Sequence, residues 1–216
     1  MNATKNDRGR RIDEDLWDRR SDEILDVAAT LFAERGFAGA DTQELADRVG
    51  VGKGTLYRYF PSKRELFLAA ADRAMRRLRE CLDAAVATRD DPLEQIAVAI
   101  EAFLGFFDEH PEFAELLIQE RALFRDRKKP TYIEHREKNL ARWQQLYQSL
   151  MEAGRVRPMP VQRITSVISD LVYGTMFSNH VAGRQKGLRE QADDIVDIVF
   201  RGILSDSERR RREEDR

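Results

Sequence analysis

Between residues 42 and 66 the chain carries Thr42, Lys53, Gly54, Tyr57, Arg58, Tyr59 and Lys63 within a run of short apolar turns. None of these side chains makes or breaks bonds in that setting, but together they can grip a polyanion. Lys53 can donate to guanine O6 or N7, Gly54 lets a backbone approach closely, and Tyr57 offers a ring for a thymine methyl and a hydroxyl for a base or phosphate. Lys63 stands at the first position of a helix, where a cation opposes the helix dipole. A phosphate at that helix start would accept bonds from the free backbone N–H groups and from Lys63 together. Thr42, at another helix start, is placed to do likewise. The competing reading of Lys63 is a surface lysine tolerated because its charge is solvated. Five basic residues and no acidic one lie between Arg48 and Arg64, although the whole chain has a net charge of −2. Basicity is local to this segment, as a small DNA-binding element requires.

The elements that must position these residues are short helices. Apolar residues Ile24, Val27, Ala28, Leu31 and Phe32 follow i, i+3, i+4 spacing and predict a helix over 18–35. Gly36 ends it in a left-handed conformation, and Phe37 folds back as a core plug. Asp41 with Glu44 reads as a capping box for a helix from 42 to 49, and Ser62 with Glu65 as one for a helix from 63 to 88. Gly50-Val51-Gly52 is the turn before a third helix over 53–60, closed by Pro61. Leu45, Ala46, Val49, Val51, Leu56 and Phe60 face inward and hold this helix-turn-helix together, the arrangement that lays one helix in the major groove.

The segment from about residue 24 to residue 66 resembles the DNA-binding domain of the TetR family of bacterial transcriptional regulators. The matching features are Ala28-Ala29-x-Leu31-Phe32-Ala33-x-x-Gly36-Phe37, Thr42-x-x-x-Leu45-Ala46, Val49-Gly50-Val51 and Gly54-Thr55-Leu56-Tyr57-x-Tyr59-Phe60-x-x-Lys63-x-x-Leu66. The resemblance implies that Lys53, Gly54 and Tyr57 face bases, while Thr42, Thr55, Tyr59 and Lys63 clamp phosphates. One departure is Gly52, where the family usually has a capping serine; glycine costs only about a few tenths of a kcal/mol there.

Further helices are expected over 92–109, 110–124, 130–153, 161–182 and 188–204, with no strand. The fold class is therefore all-α: a disordered arm over 1–17, a helix-turn-helix domain over 18–66, a helical effector-binding and dimerisation domain over 67–204, and a charged disordered tail over 205–216. Aromatic residues concentrate in the larger part. Each taken singly reads as core, but as a group Phe103, Phe107, Phe113, Leu117, Glu120, Trp143, Tyr147, Tyr173, Phe177 and His180 could line a cavity for a small molecule. The last helix is apolar on more than one face, so it needs two partners. Ile164, Ile168, Leu171, Ile195, Val199 and Ile203 are the expected interface of an isologous homodimer.

A single cysteine, Cys81, excludes an internal disulfide. No apolar run approaches the ~20 residues of a membrane span, and the N-terminus lacks the apolar core of a signal peptide, so cytoplasm is expected and no membrane partner. His110, His135 and His180 lie on separate segments without metal-ligand spacing, so no metal, cofactor or catalytic constellation is expected and the chain does not read as an enzyme. The expected function is a repressor released from a palindromic double-stranded operator by an unidentified small-molecule effector. An activator or a regulator answering a protein partner is the alternative within the same fold. An enzyme with an appended helix-turn-helix is the alternative from another class.

Overall fold

The computed structural model describes residues 3–183 and 187–202, with only the course of the backbone for residues 3–15. Among the described residues the chain is entirely helical: α1 (Ala3–Gly39), α2 (Thr42–Val49), α3 (Lys53–Tyr59), α4 (Lys63–Val86), α5 (Pro92–Glu109), α6 (Pro111–Leu123), α7 (Thr131–Glu152), α8 (Val161–Ala182) and α9 (Leu188–Arg201). The all-α class is thus as expected. The loop at residues 184–186, Ile203 and the charged tail over 205–216 lie outside the described residues.

Local signals explain most helix ends. α1 breaks at Gly36, whose φ of 69° and ψ of 165° are strained for any residue with a Cβ. Asp41 Oδ1 accepts the Gln43 N–H at 2.7 Å, and Ser62 Oγ accepts the Glu65 N–H at 3.1 Å. The Ser62–Glu65 box is thus made on its forward arm, whereas Asp41 caps α2 through the N–H of Gln43 and not that of Glu44. At α2 the return arm gives way to an ion pair, since Glu44 turns to Arg48 at 2.6 Å. Gly50, at φ 72° and ψ 40°, stops α2 in the left-handed conformation.

The start of α1 differs from expectation. Residues 1–17 read as a disordered arm, yet the backbone is helical from Ala3. The segment contains no proline, and its arginine, leucine and acidic residues tolerate a helix. Its described end is also anchored: the Arg20 guanidinium donates to the Val49 carbonyl at 2.9 Å, and the Trp17 indole stacks on Tyr59.

Two compact units emerge, and they do not divide at residue 67. One comprises residues 1–80 and 110–139, the other residues 81–109 and 140–216; α4 and α7 contribute to both. The first unit takes in α6 because α6 packs along α1. Phe32, Phe37, Phe67 and Phe124 meet there, with ring centroids 4.9 Å apart for Phe32–Phe67, 5.6 Å for Phe37–Phe67, 5.2 Å for Phe37–Phe124 and 5.4 Å for Phe67–Phe124. Phe37 is therefore the plug its position after Gly36 predicts. Gln119 of α6 spans the same break: its amide donates to the Phe32 carbonyl and accepts the Phe37 N–H, each at 3.2 Å. Arg73 of α4 donates to the Asp26 carboxylate of α1 at 2.8 and 2.9 Å. The hydrogen bond from His135, 2.7 Å from Asp72, holds the Asp72 carboxyl below its usual range.

In the second unit α5 packs against α8 and α9, burying Ile96, Leu104, Met176, Ala192 and Ile195. Asn179 and Gln191 exchange amide hydrogen bonds at 3.0 and 2.7 Å, which satisfies both polar groups. The Asp108 carboxylate accepts the Leu188 N–H at the start of α9, at 3.2 Å.

Candidate nucleic-acid interface

The helix-turn-helix is built on an inward stripe and an outward one. Leu45 and Ala46 of α2 and Leu56 of α3 are almost wholly buried, and Phe60 is nearly so. At 3.6 residues per turn that packing leaves Lys53, Gly54, Tyr57 and Arg58 on the outside, all of them exposed. A Cβ added at Gly52 or Gly54 would meet nothing within 4 Å, so the beginning of α3 is open to any approaching surface.

The expected base-facing residues Lys53, Gly54 and Tyr57 thus share one exposed face. The expected phosphate residues are more varied. Thr42 is only 8% exposed, and its hydroxyl shares a hydrogen bond with the Tyr57 hydroxyl at 3.1 Å. It therefore orients Tyr57, itself 37% exposed, rather than standing outward at the start of α2. Thr55 is half-buried, and its N–H closes the first turn of α3 on the Gly52 carbonyl at 2.8 Å. Tyr59 is half-buried beneath Trp17. Lys63 donates to the Ala38 carbonyl at 3.2 Å and lies 5.1 Å from the centre of the Phe37 ring. Both partners hold its ammonium beside the start of α4, with two further N–H donors available to a phosphate.

The five basic residues are not equivalent. Arg48 pairs with Glu34 at 2.9 Å and Glu44 at 2.6 Å, and both hydrogen bonds raise its pKa. Arg64 pairs with Asp126 at 2.5 Å; this hydrogen bond holds the Asp126 carboxyl below the usual range. Lys53 and Arg58 enter no ion pair among the described residues, so with Lys63 they carry the outward positive charge. Two further residues, Arg58 and Trp17, belong to this surface beyond those expected to touch DNA. Arg58 is legible from helical spacing alone. Trp17 is not, because its partner lies two helices away in the chain.

The residues expected to line an effector cavity do not form one lining. Phe113, Leu117 and Glu120 belong to the first unit, the other seven to the second. Phe113 sits against His110 and under Arg77 as plain core. Glu120, 1% exposed, is held by Arg127 and by the N–H and hydroxyl of Thr131 at 2.9 and 3.0 Å, so it is a structural carboxylate. Phe103 and Phe107 pack on each other in the second unit, Tyr147 is buried with its phenol pushed upward by desolvation, and Trp143 lies beneath Arg142. Tyr173 and His180 are half-buried, while Phe177 is 40% exposed. The second unit does contain a pocket of about 360 Å³, lined by Cys81, Ala85, Val98, Glu101, Ala102, Phe106, Glu109 and Arg189. None of the ten expected residues lines it. Its wall mixes two carboxylates and a guanidinium with apolar groups, because α5 turns Glu101 and Glu109 outward there.

The expected dimer residues are likewise redistributed. Ile195 is buried in its own unit, and Ile164, Ile168 and Val199 are half-buried. Ile203 lies outside the described residues. Leu171 is exposed as expected, and Val167, Phe177 and Val181 join it on α8, with Ile198 and Phe200 on α9. On α8 these fall on one helical face around Gly174, where an added Cβ would meet nothing within 4 Å. The reason is angular: Leu188, Ala192 and Ile195 form the α9 stripe that α5 covers, which turns Ile198 outward.

No helix among the described residues is long and apolar enough to cross a membrane, and no group of three or more His, Cys, Asp or Glu there could hold a metal ion. Residues 24–70 match the family model for bacterial regulatory proteins, tetR family. The chain is 34% identical over 117 residues to the HTH-type transcriptional activator FasR of Mycolicibacterium smegmatis, a match covering 54% of this chain and 52% of FasR. It thus spans about half the length of that curated relative. It is 30% identical over 147 residues to the HTH-type transcriptional repressor KstR2 of the same organism, covering 64% of this chain and 68% of the repressor. Among solved structures, the transcriptional regulator FadR from Bacillus subtilis in complex with stearoyl-CoA superposes with a TM-score of 0.71 at 16% identity, over 84% of this chain and 98% of that one. That likeness shows a shared fold. The match to KstR2 over two thirds of its length, together with the family model over α1 to α4, shows that this chain belongs to the TetR family of bacterial regulatory proteins.

Proposed function

We propose that the protein is a dimeric repressor that holds a palindromic operator through α3 and releases it when a small molecule binds the second unit. One observation carries the DNA reading: the exposed face of α3, where Lys53, Gly54, Tyr57 and Arg58 stand outward over a buried Leu56. That helix enters the major groove, with Lys53 and Tyr57 at base edges and the starts of α2 and α4 against the flanking phosphates. The exposed apolar face of α8 and α9 supports a two-fold dimer, which gives the two α3 helices a spacing of about 34–36 Å on successive major grooves. KstR2, the relative aligned over two thirds of its length, is named a repressor, which supports that direction of control.

Selection from a randomised duplex pool with the full chain is expected to return an inverted repeat with half-sites one helical turn apart. Sequences with a single half-site, or no enrichment, would remove the dimeric repressor reading. On the selected duplex, Lys63→Ala should lower affinity for all sequences alike and reduce the log–log salt slope by roughly one unit for each phosphate no longer neutralised. Tyr57→Ala should instead lower the ratio between selected and random duplex. An unchanged salt slope for Lys63→Ala would reassign Lys63 to packing against Phe37.

The effector is proposed to carry both an apolar body and a charged group, in keeping with the pocket of the second unit, where Glu101, Glu109 and Arg189 stand among Ala85, Val98, Ala102 and Phe106. Release requires that it bind the DNA-incompetent shape more tightly, by about 1–3 kcal/mol in typical cases. Linkage then makes the operator weaken effector binding by the same factor. Calorimetry with a ligand found by thermal shift, with and without the duplex, reads that factor; equal affinities would rule the switch out.

A further inference from the structure

α3 is a seven-residue helix with two weak ends. Its N-cap is Gly52, which makes no side-chain cap, and its C-cap is Phe60 in extended conformation. Isolated helices of that length are marginal. Tyr59 is its last helical residue, where a ring without a partner would rotate freely. The structure supplies a partner from α1. The Trp17 indole stacks on the Tyr59 ring with centroids 3.8 Å apart and planes 20° from parallel. One turn further along, Arg20 donates to the Val49 carbonyl at the C-terminus of α2, at 2.9 Å. Positions 17, 20 and 24 share a face of α1, and Ile24 is wholly buried, so this face continues the core stripe toward the N-terminus and onto the reading element. Both anchoring residues lie before residue 24, where the match to the family model begins.

We propose that Trp17 is a positioning residue of the DNA-binding surface: stacked on Tyr59, it fixes the ring so that the tyrosine hydroxyl meets a phosphate of the operator. The inference rests on the DNA-binding reading above. Tyr59 is only half-buried and the stacked indole covers one face of its ring, so the hydroxyl at the far end of the ring is still able to donate. Aromatic stacking of this kind orders a rotor before binding, and that ordering is then not charged against affinity.

The test uses the full chain and the duplex selected by the unmodified protein, with affinity read by fluorescence anisotropy across a salt series. Trp17→Ala should weaken binding about tenfold for a dimer using two such stacks. It should leave the salt slope unchanged, as should Tyr59→Phe, because a neutral hydroxyl releases no counterion when it meets a phosphate. Trp17→Phe, which keeps a stacking ring, should restore most of the affinity. In a Tyr59→Phe background, Trp17→Ala should cost nothing further, because the group it positions is already gone. Circular dichroism melts check that each variant is folded. Equal affinity of Trp17→Ala and the unmodified protein overturns the proposal. So does the same tenfold loss in the Tyr59→Phe background, which would make Trp17 a packing residue of α3. If the unmodified chain selects no duplex, the DNA-binding reading itself fails, a result distinct from either.

Discussion

Replacing Phe67 with alanine should destabilise the first unit by about 3–5 kcal/mol, the usual cost of emptying a buried aromatic site. Phe67 is wholly buried, and its ring touches those of Phe32, Phe37 and Phe124. The three neighbours come from α1, from the turn after Gly36 and from the segment after α6, so they cannot collapse together into the space without moving α1 against α6. That loss is a large fraction of the ~5–15 kcal/mol by which folded domains are held. Denaturant unfolding followed by circular dichroism should show an earlier transition in the variant, and operator binding should fall with it, since Phe37 also lies beneath Lys63. Phe67→Leu, which keeps most of the volume, should cost far less. A loss below about 1 kcal/mol for the alanine variant would mean that this cluster is not the keystone of the unit.

A second substitution should act on assembly and leave folding intact. Ile198→Asp, at a position 51% exposed in the single chain, should yield folded monomers that hold the palindromic duplex at least a hundredfold more weakly. In the monomer the carboxylate is solvated and costs little. Within the proposed dimer it would lose its water at an apolar interface, and an unpaired buried charge is expensive. Once the two α3 helices are no longer joined, each half-site is bound separately and the gain from linked binding disappears. Sedimentation of both proteins at micromolar concentration, beside binding to a single half-site, makes the test. Binding to the half-site should be unchanged in the variant. An unmodified chain that is already monomeric would refute the α8–α9 interface.

The sequence by itself determined most of the helices and which face of α3 is exposed. Gly36, Asp41, Gly50 and Ser62 act on their immediate neighbours, and a glycine at positive φ or a capping side chain needs nothing remote to take effect. For the same reason helical spacing was enough to place Lys53, Gly54 and Tyr57 outside and Leu45 and Leu56 inside. Only the tertiary structure decided how groups distant in the chain were used. Thr42 turns its hydroxyl to Tyr57, Glu120 is taken by Arg127 and Thr131, and Ile195 faces α5 while Ile198 faces out. Periodicity marks an apolar position without saying which of two neighbours will cover it, and a polar side chain bonds to whichever partner the packing brings. The joining of α6 to α1 through Gln119 and Phe124, and of Trp17 to Tyr59, depends on the angles at which helices cross, which are set by the summed fit of many side chains and are written in no single segment.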